Sequence, residues 1–404
     1  MPSNLLFLKS FYKNLASNSK ARFLTGFLII LIFQIWSTYK GEGVAKTHDS
    51  LQYLKTAENL ILQNDFIQTN SQPYIAWALG FPFLLILFKD SIFLNLLCIL
   101  TTYVFYFDLT HKLFQKTCIK WWLIVAFVSA TPLYLIHHFV WSEPPFLLSL
   151  IGCIWAFYYL VDNLNNKIPT KAIYLFCFFG FLFCAMRNAG LYFVIGINSG
   201  IILFYLIPFT LKNNKGFVNS ILWKNPYFKP LLYFSLSSIL PIFLWWFHAK
   251  IKTQGNFDTI YNLALRTFSE ECINYGDILS RWFLPPSITL EIRISILSLL
   301  IVLFLIFFIR KVKLETDKNS KFILFIFWIT FVYLIGMLFS RAGMKIDAER
   351  FLAIVYPFLC ILIGFILNLS LDKMRINNIL KYGIAFLWLV YPFLRTLKNI
   401  VFWN

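Results

Sequence analysis

The sequence predicts an all-α protein, a polytopic bundle of about eleven transmembrane helices with amphipathic juxtamembrane helices in its first outer loop. Three observations predict it. Of the 404 residues 59% are hydrophobic and only 13% charged, with a mean hydropathy of +0.70, far outside the balance of a water-soluble domain. The apolar residues are gathered into runs close to the roughly 17 to 25 residues that a spanning helix needs. The Lys and Arg behind the net charge of +18 lie in short clusters between those runs. That is the pattern of basic loops against an anionic inner leaflet, so membrane lipids are expected partners and nucleic acid is not.

The first apolar run, about Phe23 to Trp36 within a span expected near 22–38, follows Lys9, Lys13, Lys20 and Arg22. No small-residue cleavage site follows it, so it reads as a retained span with a cytoplasmic N-terminus. Further spans are expected near 90–107, 121–137, 145–161, 172–186, 188–208, 231–247, 293–309, 322–340, 352–370 and 382–397. The run Tyr74 to Phe88 is short and interrupted by Gly80 and Pro82, which suits an interfacial or re-entrant element rather than a span. Charge supports that choice. With 74–88 kept outside, the N-terminus and the loops near 108–120, 162–171, 209–230, 310–321 and 372–381 hold 21 of the 36 Lys and Arg. They hold only five of the 18 acids: Asp108, Asp162, Glu315, Asp317 and Asp372. Such an asymmetry marks cytoplasmic loops. Five of the seven Cys sit inside apolar runs and none forms a C-x-x-C, so they read as packing residues. A single integral-membrane domain over 1–404 is the simplest partition, with a first span at 22–38, an outer loop at 39–89 and the remaining spans and loops over 90–397.

The substantial loops fall on the outer face, and chemistry is expected there. From Ser50 onward Leu51, Leu54, Ala57 and Ile61 recur at helical spacing with Gln52, Lys55, Glu58 and Asn59 between them, which reads as a surface helix. Asp49, with Gln52 three residues on, has the form of a capping box; it is either a cap or a functional acid. Trp141-Ser142-Glu143-Pro144-Pro145-Phe146 presents a second acid where a helix start is equally ordinary. Arg187 lies between two apolar stretches and reads as an interface anchor or as a phosphate ligand. The last outer loop runs from Arg341 through Lys345, Asp347 and Glu349 to Arg350 and then into an apolar span. Arg350 either pairs with those neighbouring acids or offers its planar fork to a phosphate. His137-His138 and His48-Asp49 could bring metal ligands to this face, but no HExxH or comparable spacing accompanies them.

One span, an outer Asp49, a helix with Tyr53-Leu54, Ala57 and Leu60, an end at Phe66, and Gly80-Phe81-Pro82-Phe83-Leu84 in a short apolar element follow one another in order. This order resembles the first outer loop of the GT-C glycosyltransferases, the superfamily of protein O-mannosyltransferases and lipid A aminoarabinose transferases. The resemblance covers the N-terminal 150 residues and the 340–370 region. It implies a GT-C-like fold and an inverting glycosyltransferase that takes a sugar from a polyprenyl-phosphate-linked donor and passes it to a glycan, lipid or protein acceptor. It implies a cytoplasmic (inner) membrane location with the active site facing outward. Asp49 would be the catalytic base and Glu143 a second acid of the active site. Arg350, with Arg187, Arg341 and Lys345, would bind the donor phosphate, and His48 and Tyr53 would lie on the acceptor or loop side. No cofactor is required by this scheme, although some GT-C enzymes use a divalent metal. Two other classes fit the hydropathy: a polysaccharide polymerase or ligase, and a lipid-linked-sugar transporter, which would more often carry charge near span midpoints than at span ends.

Overall fold

In a computed structural model residues 18–40, 43–67, 73–163, 170–209, 225–254, 267–312, 317–340, 348–373 and 378–402 are described. The described chain is helical apart from short connections. It begins with α1 (Ser19–Lys40), α2 (His48–Gln63), α3 (Gly80–Phe88) and α4 (Ser91–Leu113). Next come α5 (Thr117–Val128), α6 (Thr131–His138), α7 (Glu143–Asn163), α8 (Thr170–Met186) and α9 (Gly190–Ile201), which runs on through a π-turn at Ile202–Leu206. The second half holds α10 (Phe228–Lys252), α11 (Phe268–Arg281), α12 (Leu290–Val312), α13 (Lys318–Ser340), α14 (Ala348–Ala353), α15 (Tyr356–Lys373) and α16 (Asn378–Phe402). Among the described residues eight helical segments are long and apolar enough to cross a membrane, and α8 and Tyr356–Ser370 of α15 are shorter apolar helices. The chain is an integral multi-pass membrane protein. A lipid interior offers backbone groups no partner, so helices, which satisfy themselves, are the expected solution.

Helices stand at all eleven expected positions, with two interruptions that the hydropathy did not foretell. The stretch expected as one span at 121–137 is α5 and α6, broken at Ser129–Ala130. Pro132 sits in the first turn of α6, where its missing N–H costs nothing. The carbonyl freed by the break is taken by Thr396 of α16, whose Oγ1 donates to Ser129 O at 2.8 Å and pairs with Thr131 Oγ1 at 2.8 Å. The stretch expected at 352–370 is likewise α14 and α15, separated at Ile354–Val355 just before Pro357. Between the spans expected at 231–247 and 293–309 lies α11, closed at its start by a capping box of Thr267 and Glu270.

α3 is nine residues, roughly 13 Å of helix, less than half of the ~30 Å hydrocarbon layer. It lies against α2 and α8, and Gly80 is what lets it approach: a Cβ there would stand 2.6 Å from the carbonyl oxygen of Ala185. α7 is largely buried between α4 and α8, and α8 packs in turn on α10.

Contacts sort the loops to the two ends of the bundle. At one end Lys318 pairs with Asp162, Asn319 donates to the carbonyls of Lys112 and Leu113, and Lys116 reaches Asn368 O at 3.2 Å. These are the basic loops grouped together above. At the other end Lys252 meets Asp65 at 2.7 Å, Trp245 donates to Ile75 O at 2.9 Å, and His248 donates to Tyr74 O at 3.1 Å.

Candidate active site

At that second end two loops are stitched together by their backbones. Ala45 N–H donates to His138 O at 2.9 Å and Val140 N–H donates back to Ala45 O at 3.2 Å. This short parallel bridge carries the start of α2 to the start of α7. Trp141 then completes the stitch, its Nε1–H donating to Thr47 Oγ1 at 2.9 Å.

Thr47, not Asp49, caps α2. Its hydroxyl accepts from Ser50 N–H, and Ser50 Oγ accepts from Thr47 N–H at 3.0 Å, a reciprocal capping box. The box expected from Asp49 and Gln52 does not form, because the helix starts two residues earlier and Gln52 turns to His48 (3.3 Å between ring and amide nitrogens). Asp49 is left in the first helical turn, where an acid complements the helix dipole, with its side chain directed away from the cap.

Four charged side chains from four separated segments meet here. Glu143, at the start of α7, is 1% exposed and is ion-paired with Arg187, from the corner between α8 and α9. The same Oε1 lies 3.3 Å from Nε of Arg350 of α14. Arg350 Nη2 donates to Asp49 Oδ2 at 2.6 Å. Arg350 is 7% exposed and Arg187 13%, while Asp49 is 20% exposed. Two cations and two anions cancel, which is the condition for keeping charges this far from water. The arginines are also held by ring faces: Arg350 stands over Trp141 (4.9 Å) and Phe351 (5.0 Å), and Arg187 over the same Phe351 (4.7 Å). These cation–π contacts fix the guanidinium planes as well as their charge.

Arg187 therefore points into the protein rather than snorkelling to an interface. Arg350 pairs with Asp49 and Glu143 rather than with Glu349, whose carboxylate faces the other way, toward Trp282 and Arg395. Arg341, Lys345 and Asp347 lie outside the described residues. His48 is exposed at the helix start. Tyr53, one turn after Asp49, is buried edge-on against Phe81 (4.9 Å) and Trp77 (5.6 Å). Burial pushes its hydroxyl pKa well up, Glu143 and Asp49 add to the rise, and Arg187 and Arg350 oppose it; it remains a neutral hydrogen-bonding group. Sequence reasoning did not single out Trp141 and Phe351 as the seats of the arginines. The signal available for both was an aromatic residue within two positions of a singled-out charge.

The His137 ring bonds Leu133 O at 2.7 Å, and its carbonyl accepts from Gln34 and Asn95. Among the described residues no group of three or more His, Cys, Asp or Glu is arranged around a common point.

No protein-family model matches the chain, and no curated protein does either. Among solved structures it is similar to ArnT from Cupriavidus metallidurans bound to undecaprenyl phosphate, with a TM-score of 0.55 and 10% identity over 90% of this chain and 61% of that one. It is also similar to the Archaeoglobus fulgidus oligosaccharyltransferase, in complex with Zn and sulfate, with a TM-score of 0.51 and 12% identity over 94% of this chain and 53% of that one. The chain thus spans a little over half the length of each of these larger proteins. At such identities the likeness is one of architecture alone: this chain shares the helical membrane fold of those two proteins.

Proposed function

We propose that this protein is an inverting glycosyltransferase that takes a sugar from a polyprenyl-phosphate-linked donor and transfers it to a hydroxyl of a glycan, lipid or protein acceptor. The site would face outward from the inner membrane. One observation carries this reading: in a GT-C-like fold, Asp49, Glu143, Arg187 and Arg350 converge at the end of the bundle opposite the basic loops. Positive-inside asymmetry supports an outer location for that end, where nucleotide sugars are absent and a lipid donor could arrive sideways through the bilayer.

The two arginines supply what a departing phosphate needs, a preorganised pair of forks in a water-poor site. Glu143 holds those forks together, one buried carboxylate oxygen meeting both arginines. Asp49 is the more open acid and takes the base role. The acceptor O–H bond breaks toward Asp49 as its oxygen attacks the anomeric carbon, the bond from that carbon to the phosphate oxygen breaks, and the electron pair leaves with the lipid phosphate. Asp49 itself occupies the Nη2 edge of Arg350. Donor phosphate would take that edge and release Asp49 to act on the acceptor.

The test is a comparison of cells making the wild type with cells making Asp49→Asn at equal abundance. Surface glycans, glycolipids and glycoproteins should lose one sugar, and the corresponding lipid-linked sugar should accumulate. Identical glycan and lipid-linked-sugar profiles in the two strains would end this reading.

A further inference from the structure

Glu349 and Arg350 are adjacent in α14, yet they pair in opposite directions. Arg350 turns to Asp49 and Glu143. Glu349 Oε1 accepts from Trp282 Nε1 at 3.1 Å and from Arg395 Nη2 at 3.1 Å. α14 has six residues, too few to hold a helical geometry or an orientation by its own hydrogen bonds. What grips its side chains therefore sets where Arg350 points. Arg395, on the C-terminal helix α16, is itself seated by a 2.8 Å bond from Nη1 to the carbonyl of Arg281. Trp282 is buried, and its ring stands edge-on to Tyr356 at 5.5 Å, at the point where the chain resumes as α15. The other acid nearby, Asp277, is taken up by Arg281 and by the buried Arg293.

We propose that Glu349, Arg395 and Trp282 form a clasp that positions Arg350 for the donor phosphate, from outside the site and without touching substrate. The proposal rests on the reading that Arg350 binds that phosphate. A bidentate grip tolerates roughly 0.5 Å and 10–20° of misplacement, and a helix of six residues depends on its side-chain contacts to stay within that range. The clasp is thus a positioning device: Arg395 acts through Glu349, and Glu349 acts through the orientation of α14. It also ties the C-terminal helix, which contributes no charge to the site, to the site's most important cation.

Two measurements on the full-length purified protein test this. The first maps modification of Arg350 by phenylglyoxal, read by mass spectrometry without any lipid; the second measures undecaprenyl phosphate affinity. Arg350 should be shielded in the wild type and in Arg395→Lys, and modified faster in Arg395→Ala. Affinity should fall about tenfold in Arg395→Ala and at least as far in Arg350→Ala, and the double variant should bind no worse than Arg350→Ala alone, because Arg395 has no route to the lipid except through Arg350. Glu349→Gln, which keeps size and an acceptor oxygen, should move both readouts in the same direction and serves if Arg395→Ala does not fold. An Arg350 that stays shielded in both clasp variants, or losses that add in the double variant, would overturn the clasp. Absence of undecaprenyl phosphate binding by the wild type would instead overturn the donor reading, with phenylglyoxal still deciding the clasp.

Discussion

Asp49 and Glu143 are carboxylates of one charged cluster, and their surroundings differ. Glu143 is sealed from water between two guanidiniums, and removing one partner of such a buried group costs roughly 3–5 kcal/mol. Glu143→Gln should therefore lower the apparent Tm by about 5 °C or more and lose activity with it, as thermal unfolding of the purified protein can show. Asp49 touches one arginine that keeps a second anionic partner without it, and Thr47 does the capping. Asp49→Asn should accordingly fold with near wild-type Tm and lose at least about a hundredfold in turnover. The same variant should bind undecaprenyl phosphate more tightly than the wild type, since the carboxylate competing for Arg350 is gone. Wild-type transfer rates in folded Asp49→Asn protein would remove the base assignment. Arg350→Lys keeps the charge and loses both the fork and the stacking on Trp141 and Phe351, so donor saturation should require more lipid while the fold persists.

Element by element, the site depends on short pieces held by neighbours. α2 enters the site through the Thr47–Ser50 box and the Trp141 bond to Thr47. Thr47→Ala should cost about 1 kcal/mol from the cap, and a fall in turnover should accompany it because Asp49 rides on that turn. Turnover unchanged in a destabilised Thr47→Ala protein would show that the stitch does not set Asp49. α3 depends on its closeness to α8: Gly80→Ala would drive a methyl group into the Ala185 carbonyl. The expected cost is about 1–3 kcal/mol, seen as a lowered Tm.

Across the whole molecule the two ends of the bundle differ in the charged residues they gather. Basic loops meet at one end through the Lys318–Asp162 pair and the Asn319 and Lys116 contacts; the four charged site residues meet at the other. Exposed Gln115 and Lys46 mark those two ends. In a cysteine-free background, Gln115→Cys should be labelled by a membrane-impermeant thiol reagent only after the cells are opened, and Lys46→Cys in intact cells. Labelling of Gln115→Cys from outside would invert the orientation and remove the outer-face location of the proposed chemistry.

What the sequence by itself determined is the class of fold and the identity of the charges worth attention. Charge is costly in an apolar chain, so Glu143, Arg187 and Arg350 stood out at the ends of apolar runs and Asp49 in the polar loop after the first one, and the short Gly-Phe-Pro element could be separated from true spans by its length, its Gly80 and Pro82 and the charge of the later loops. Pairing was beyond it. Asp49 meets Arg350 across 301 positions, and local rules suggested Asp347 or Glu349 instead. Asp49 read as the cap, whereas Thr47 closes the helix with Ser50 and is itself held by the bond from Trp141. The break at Ser129 is tolerated because Thr396, 267 positions away, satisfies the freed carbonyl. Apolar periodicity reports burial against any partner; which partner supplies the missing hydrogen bond or counter-charge is decided by how the helices are brought together.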